Sequence, residues 1–291
     1  MIRIEDAINV MYKISNIRNK IKFKLELAMN KDLRIELSKN SEYKGLYKGK
    51  RCFILGNGPS LNKQDLSKLE NEYVFTVNFM NKSEIFHKVK SNWHVAIDPC
   101  IFNSDGNLIS YEEKINTLRD ILSRDITLFT LYDNKGFLSD NKLLQDNVRY
   151  MKIGILLTEK YNKDINFLNL VPEAQTVVQA AIYLAIYMGF SEIYLLGCDM
   201  TGILQKFVID DEDEFNRYGH VYKESSDYQK KYKDYSNSFK NEEMLACFKR
   251  MFEIYRKIEF YSRNREFKIY NATQGGALDV FKRIPLEDIL K

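Results

Sequence analysis

RCFILGNGPSL, residues 51–61, is an apolar run that spills into a loop carrying two glycines and a proline. Cys52–Leu55 reads as a buried strand, and Gly56-Asn57-Gly58-Pro59-Ser60 ends it with residues that favour turns. A helix is predicted over Leu61–Leu69, capped by Ser60 or Asn62. Glycines admit close backbone approach to a ligand, and free amides at a helix start suit a phosphate. A tight strand-to-helix turn explains the same residues, and the loop alone does not separate the two. It is not the dinucleotide fingerprint, because the third glycine is missing, and no Walker lysine follows.

Working outward, short β-rich runs alternate with helical patterns. Strands are predicted at Val74–Asn78, His94–Asp98, Thr127–Tyr132, Arg149–Ile153, Ile193–Leu196 and Lys268–Asn271. Helices are predicted at Tyr111–Leu122, Thr176–Met188 and Asn241–Ser262. Several strands are apolar at consecutive positions, as expected when both faces are covered. The fold class is therefore α/β, a mostly parallel, Rossmann-like sheet flanked by helices. Residues 1–48 read as an N-terminal helical appendage and polar linker, and 49–291 as the main domain. Between about 202 and 240 the pattern dissolves into charged and tyrosine-rich sequence, a long insertion of the kind that often forms a lid.

The first thirty residues repeat Ile4, Ile8, Met11, Ile14, Ile21 and Leu25 at near-helical spacing, with Lys13, Arg18, Lys20, Lys22 and Lys24 between them. Such a helix either packs on the domain or a second subunit, or lies on an anionic membrane surface.

In an open α/β sheet, ligands bind beyond the carboxyl ends of the strands. Three successive strands there deliver Asn57, Asn78 and Asp98, side chains suited to ribose hydroxyls and a base edge, or simply to turn chemistry. Gln175 or Thr176 starts the next helix and Gly189 ends it; Gly197-Cys198-Asp199 closes the strand that follows. Thr176 is either an N-cap or, with Gln175, a pocket residue. Asn271-Ala-Thr273-Gln-Gly275-Gly276-Ala follows the last strand as pocket wall or turn. Of three histidines, His87 and His94 read as solvated or structural. His220 lies in the insertion beside Tyr218 and Tyr222, and its side-chain type suits a general base. Asp210-Asp211-Glu212-Asp213-Glu214 contains a D-x-D spacing able to hold a divalent ion, although charge runs are usually solvated.

Composition narrows the classes. Lys and Arg total 44 against 40 Asp and Glu, a net charge of +4, which argues for no nucleic-acid partner. The four cysteines form no C-x-x-C pair, so free thiols are expected. The N-terminus is amphipathic rather than continuously apolar, so no signal peptide is expected, and no run reaches the roughly 18–20 apolar residues of a membrane span. The expectation is a cytoplasmic protein, with peripheral contact at the inner face of the membrane left open.

GNGPSL, an Asn about twenty residues later at a strand end, and an Asp-Pro another twenty on together resemble the bacterial family-42 sialyltransferases. MGFSEIYLLGCD is similar to the matching stretch of those enzymes. The glycine-rich start and the NATQGGA ending resemble the related Maf and MptE-like family. Coverage is roughly residues 50–285. The resemblance implies a GT-A-like sialyltransferase variant of the fold. It implies a nucleotide-sugar donor, CMP-linked, and a cell-surface glycan acceptor. It places Gly56, Asn57, Gly58, Pro59, Ser60, Asn78 and Asp98 around the nucleotide. Gln175, Thr176, Gly197 and Asp199 border the donor, and His220 becomes the base. The two phosphate-holding tyrosines that follow the Gly-Ile-Asp of those enzymes are replaced here by Met200, Thr201 and Gly202; Tyr218 or Tyr222 is the expected substitute. No metal or cofactor is implied. The alternatives are a Mg²⁺-dependent pyrophosphokinase of the 6-hydroxymethylpterin type, with Asp98, Asp199 and Asp211/Asp213 as ligands, and a non-catalytic nucleotide-binding component of a glycan assembly system.

Overall fold

In a computed structural model of the chain, residues 4–103 and 108–291 are described, with side chains from residue 9 onward. The strand quoted above, β1 (Arg51–Leu55), lies inside a nine-stranded sheet. Its Cys52 and Ile54 join the core on one face while Phe53 and Leu55 join the core on the other. Consecutive strand residues point to opposite faces, so four apolar residues in a row require cover on both.

The remaining strands are β2 (Tyr73–Val77), β3 (Trp93–Ala96), β4 (Thr127–Leu131), β5 (Val148–Ile155), β6 (Leu170–Pro172), β7 (Glu192–Leu196), β8 (Lys268–Asn271) and β9 (Lys282–Arg283). Their order is β6-β5-β4-β3-β2-β1-β7-β8-β9, and every pairing is parallel. The chain runs outward from β1 to β6, then returns to lay β7 on the other side of β1. The switch point where a parallel sheet opens a crevice therefore falls between β1 and β7. The helix Val177–Met188 crosses one face with ten of its twelve residues buried. Thr176 caps it in a reciprocal box with Gln179, and Gly189, at φ 89°, ends it.

Several expectations are revised. Leu61–Leu69 is not a helix but two 3₁₀ turns, Pro59–Lys63 and Ser67–Leu69, and neither Ser60 nor Asn62 caps a helix. The Asp65 carboxylate accepts from the Ser67 amide and hydroxyl, a local turn that competes with helix continuation. β6 and β9 escape a hydrophobic pattern because they are two or three residues long, one ending in a proline and the other made of Lys and Arg. The insertion after Thr201 is ordered into a 3₁₀ turn (Gly202–Lys206) and two helices, Glu212–Tyr218 and Ser226–Asn237, started by the side chains of Asp211 and Ser225. Asp211 thus spends its carboxylate on the amides of Asp213 and Glu214.

The segment read as a polar linker belongs to the packed body. Asn40 is fully buried and donates to the carbonyls of Tyr150 and Phe167, and Tyr47 stacks on Phe190 with ring centroids 4.9 Å apart. Before it, the helix Ile4–Met29 lies along β5. Asn16 exchanges hydrogen bonds with the backbone of Leu156, Asn19 donates to the Gly154 carbonyl, and Phe23 is buried against Leu33 and Leu37. The apolar stripe is not packed on the domain: Met11, Ile14, Ile21 and Leu25 are 56–68% exposed. The side chains of Ile4 and Ile8 lie outside the described residues. Among the described residues no helix is long and apolar enough to cross a membrane.

His94 is structural. It is fully buried, with Nδ1 on the Thr76 hydroxyl at 2.9 Å and Nε2 on the Asn78 carbonyl at 2.9 Å. A carbonyl only accepts, so Nε2 carries the proton. Burial pushes the imidazole pKa from 6.5 down to about 4. The unfolded chain then binds more protons between those values, so stability is complete above the unfolded pKa and is lost as pH falls toward the folded one. Urea denaturation is expected to show a loss approaching about 3 kcal/mol across that window. A His94→Gln variant is expected to show a flatter acid limb than the wild type over the same window.

Candidate functional site

At the β1–β7 switch point the two strand ends are laced together. The Gly56 amide donates to the Leu196 carbonyl at 2.7 Å and the Gly58 amide to the Gly197 carbonyl at 2.8 Å. The Ser60 amide and hydroxyl donate to the Asp199 carboxylate at 3.3 and 2.7 Å. The Gly56, Gly58 and Ser60 amides are therefore spent within the protein and do not face a phosphate. The glycines serve close packing instead. A Cβ on Gly58 would stand 1.8 Å from Asp199 Oδ2, and one on Gly56 would stand 2.5 Å from the Gly197 carbonyl oxygen. Asp199 is buried, and burial raises its pKa while the two bonds from Ser60 oppose that rise.

A cleft of about 790 Å³ opens beside this lacing. It collects Gly56, Asn57, Gly58, Asn78, Asp98, Gln175, Thr176, Gly197, Asp199 and His220. The strand-end residues thus do converge, but with different duties. Asn57 Oδ1 is buried there with no hydrogen-bond partner. Asn78 adopts a left-handed φ of 44° and accepts from the Ile97 amide. Asp98 caps the short helix Pro99–Phe102 through the Cys100 amide. Thr176 is occupied as N-cap and bonds the Tyr255 hydroxyl at 3.0 Å, whereas Gln175 presents an exposed side chain to the cleft. The far wall comes from Tyr235, Phe248, Met251 and Tyr255, on helices whose apolar spacing signals packing and not a site.

Pro59, Ser60, Tyr218 and Tyr222 line a second cleft of about 640 Å³, with Lys63, Arg217, Lys223, Gln274, Gly275 and Gly276. His220, Asp199 and Thr201 border both clefts. The NATQGGA segment is wall: Thr273 Oγ1 accepts from the Cys198 amide and the Ala277 amide donates to the Asp199 carbonyl.

His220 stands at the junction. Its Nδ1 is 2.7 Å from the Glu224 carboxylate, and its ring stacks on Tyr222 at 4.9 Å with an interplanar angle of 13°. Tyr222 is buried behind the imidazole with its pKa pushed up by burial, so it acts as a platform. The loop around His220 is clasped by the opening motif: the Val221 amide donates to the Asn57 carbonyl at 2.6 Å, and Asn62 donates to the Val221 carbonyl at 2.9 Å. A carboxylate on Nδ1 favours the tautomer with the proton there and leaves Nε2 as the acceptor nitrogen, the arrangement of a histidine held by an orienting acid. Glu224 is the residue that sequence reading missed. It lies four positions after His220 but in a loop, where that spacing carries no helical meaning.

The candidate acidic metal ligands are not gathered. Asp199 is engaged by Ser60 and Asp211 by its helix. Among the described residues no group of three His, Cys, Asp or Glu side chains is placed to hold a metal ion.

The family model described as 6-hydroxymethylpterin diphosphokinase MptE-like matches residues 27–202, more than half of the chain. The chain belongs to the MptE-like family. Among solved structures it is similar to the MAf glycosyltransferase of Magnetospirillum magneticum AMB-1, at 14% identity and a TM-score of 0.46, over 87% of this chain and 38% of that one. This family member thus spans little more than a third of that structure. It is also similar to the sialyltransferase CstII of Campylobacter jejuni in complex with cytidine-5'-monophosphate, at 18% identity and a TM-score of 0.34, over 81% and 85% of the two chains. No curated protein matches.

Removing the Ser60 hydroxyl leaves a buried carboxylate with its amide bond alone. Ser60→Ala is expected to cost about 1–3 kcal/mol, read as a lower urea midpoint with an unchanged m-value.

Proposed function

We propose that this MptE-like chain is a metal-independent glycosyltransferase that moves a nonulosonic, sialic-type acid from a CMP-activated donor to a cell-surface glycan. The observation that carries the reading is the His220–Glu224 pair at the junction of two clefts, where one substrate can meet another. The cytidine assignment rests on the resemblance of GNGPSL, Asn78 and Asp98 to the family-42 pattern.

In this reading the larger cleft takes the donor. The base and ribose lie against Asn57, Asn78 and Asp98, and the unpartnered Asn57 oxygen accepts from a donor-nucleotide group. The second cleft takes the acceptor. His220 Nε2 removes the proton from an acceptor hydroxyl as that oxygen forms a bond to the anomeric carbon. The bond from that carbon to the phosphate oxygen breaks, and CMP leaves with the electron pair. Glu224 orients the ring and stabilises the imidazolium that forms. Tyr235, half-exposed in the larger cleft, is the phosphate-facing hydroxyl in place of Tyr218 and Tyr222. Its pKa is raised by burial and then by Cys100 and Asp98, which keeps it a hydrogen-bond donor.

The second reading is diphosphate transfer to a hydroxymethylpterin, favoured by the description of the matching family model. Asp98 and Asp199 both border the larger cleft, and among the described residues no group of three His, Cys, Asp or Glu side chains is gathered to hold a divalent ion there.

His220→Ala is expected to lower kcat by about 10²- to 10⁴-fold while CMP still raises the thermal midpoint, and Glu224→Gln to fall between that variant and wild type. Near wild-type transfer by His220→Ala with CMP bound would falsify the assignment. A separate assay with ATP and a hydroxymethylpterin, with and without EDTA, decides the second reading: EDTA-sensitive turnover there, and no sugar transfer, favours the diphosphokinase.

A further inference from the structure

The helix Ile4–Met29 spends one face on the domain and leaves another without cover. Val10, Met11, Ile14, Ile17, Ile21, Leu25 and Met29 are all more than half exposed. At about 100° per residue, Val10, Ile14, Ile17, Ile21 and Leu25 fall within an arc of about 80°. Arg18 and Lys22 border that arc on one side, and Lys13, Lys20 and Lys24 on the other; all five are exposed. No Asp or Glu occurs from Asn9 to Leu25, and the next acid, Glu26, is turned to Lys152 of β5 at 2.9 Å.

We infer that this ridge docks on an anionic lipid bilayer. An apolar centre with cations on both rims matches an interface in which alkyl groups enter the headgroup boundary and ammonium groups meet lipid phosphates. The charge pattern decides against a second copy of the chain. Two such helices packed ridge to ridge set cationic rims against cationic rims, with no acid between Asn9 and Leu25 to alternate with them. The inner face of the helix is already held by Asn16, Asn19 and Phe23, so binding requires no unfolding. Asn16 is tied to the residue after β5, and the Lys257 ammonium, which lies over Tyr12, is 3.7 Å from Glu173, just before the cleft residues Ala174 and Gln175. The inner face of the helix is thus linked to the edge of the larger cleft, and the docking inference holds whichever transfer reaction that cleft performs.

The test is co-sedimentation of the full chain with vesicles of phosphatidylcholine alone, or with about 30% phosphatidylglycerol. The wild type is expected to pellet with the anionic vesicles at least about tenfold better than with neutral ones, and to be released as KCl rises from about 0.1 M to about 0.5 M. The double variants Ile14→Ser/Ile21→Ser and Lys20→Glu/Lys24→Glu, altered only at exposed positions, are each expected to lose about tenfold in binding at an unchanged thermal midpoint. Equal binding to neutral vesicles, no binding at all, or binding untouched by both variants overturns the inference. A concentration-dependent dimer in sedimentation equilibrium that Ile14→Ser/Ile21→Ser abolishes, without vesicle binding, assigns the ridge to a second copy instead.

Discussion

Asp199, buried at the end of β7, accepts two hydrogen bonds from Ser60 at 3.3 and 2.7 Å, and the candidate site depends on that join. β1 and β7 are neighbours in the sheet but far apart in the chain, and the crevice exists because the connections leave them in opposite directions. A carboxylate costs free energy to bury unless hydrogen bonds satisfy it, so Asp199 and the Ser60 turn hold each other in place. Gly58 has no room for a Cβ because the same carboxylate occupies that space. With the Gly56, Gly58 and Ser60 amides spent on this join, the loop offers the cleft an Asn57 side chain and not a ring of N–H groups.

The lacing extends to the insertion. Val221 is gripped through both its amide and its carbonyl by Asn57 and Asn62, which places His220 over the junction of the clefts. Tyr222 backs the ring and Glu224 holds Nδ1 from within the same loop, while Asn57 and Asn62 anchor that loop from the opening motif. A loop histidine would otherwise sample many rotamers, and these contacts restrict them, the pre-organisation that the proposed general-base role calls for.

Much of the fold was legible because burial on two faces writes itself into a strand as consecutive apolar residues, as in Cys52–Leu55 and Ile193–Leu196. β6 and β9 were not, since three or two residues carry no period. The residues 61–69 misled because their apolar spacing is helical while the Asp65–Ser67 turn breaks the chain locally. At the site, Asn57, Asn78, Asp98 and His220 were legible as chemistry-bearing residues at strand ends and in the insertion. Their duties were not, because a side chain such as Thr176 or Asp199 looks the same in sequence whether it faces a ligand or caps its own backbone.

By itself the sequence determined the alternating α/β order, the parallel sheet, the set of polar residues at its carboxyl edge and the basic, apolar-striped first helix. These follow from local periodicity and from which residues water rejects. Only the tertiary structure decided that the glycines of the opening loop serve packing against Asp199, that Glu224 completes His220, and which face of the first helix stays in solvent. Each of those depends on which distant segment fills the space beside a residue, and hydrogen bonds between β1, β7 and the insertion are set by the closing of the sheet, not by neighbours in the chain.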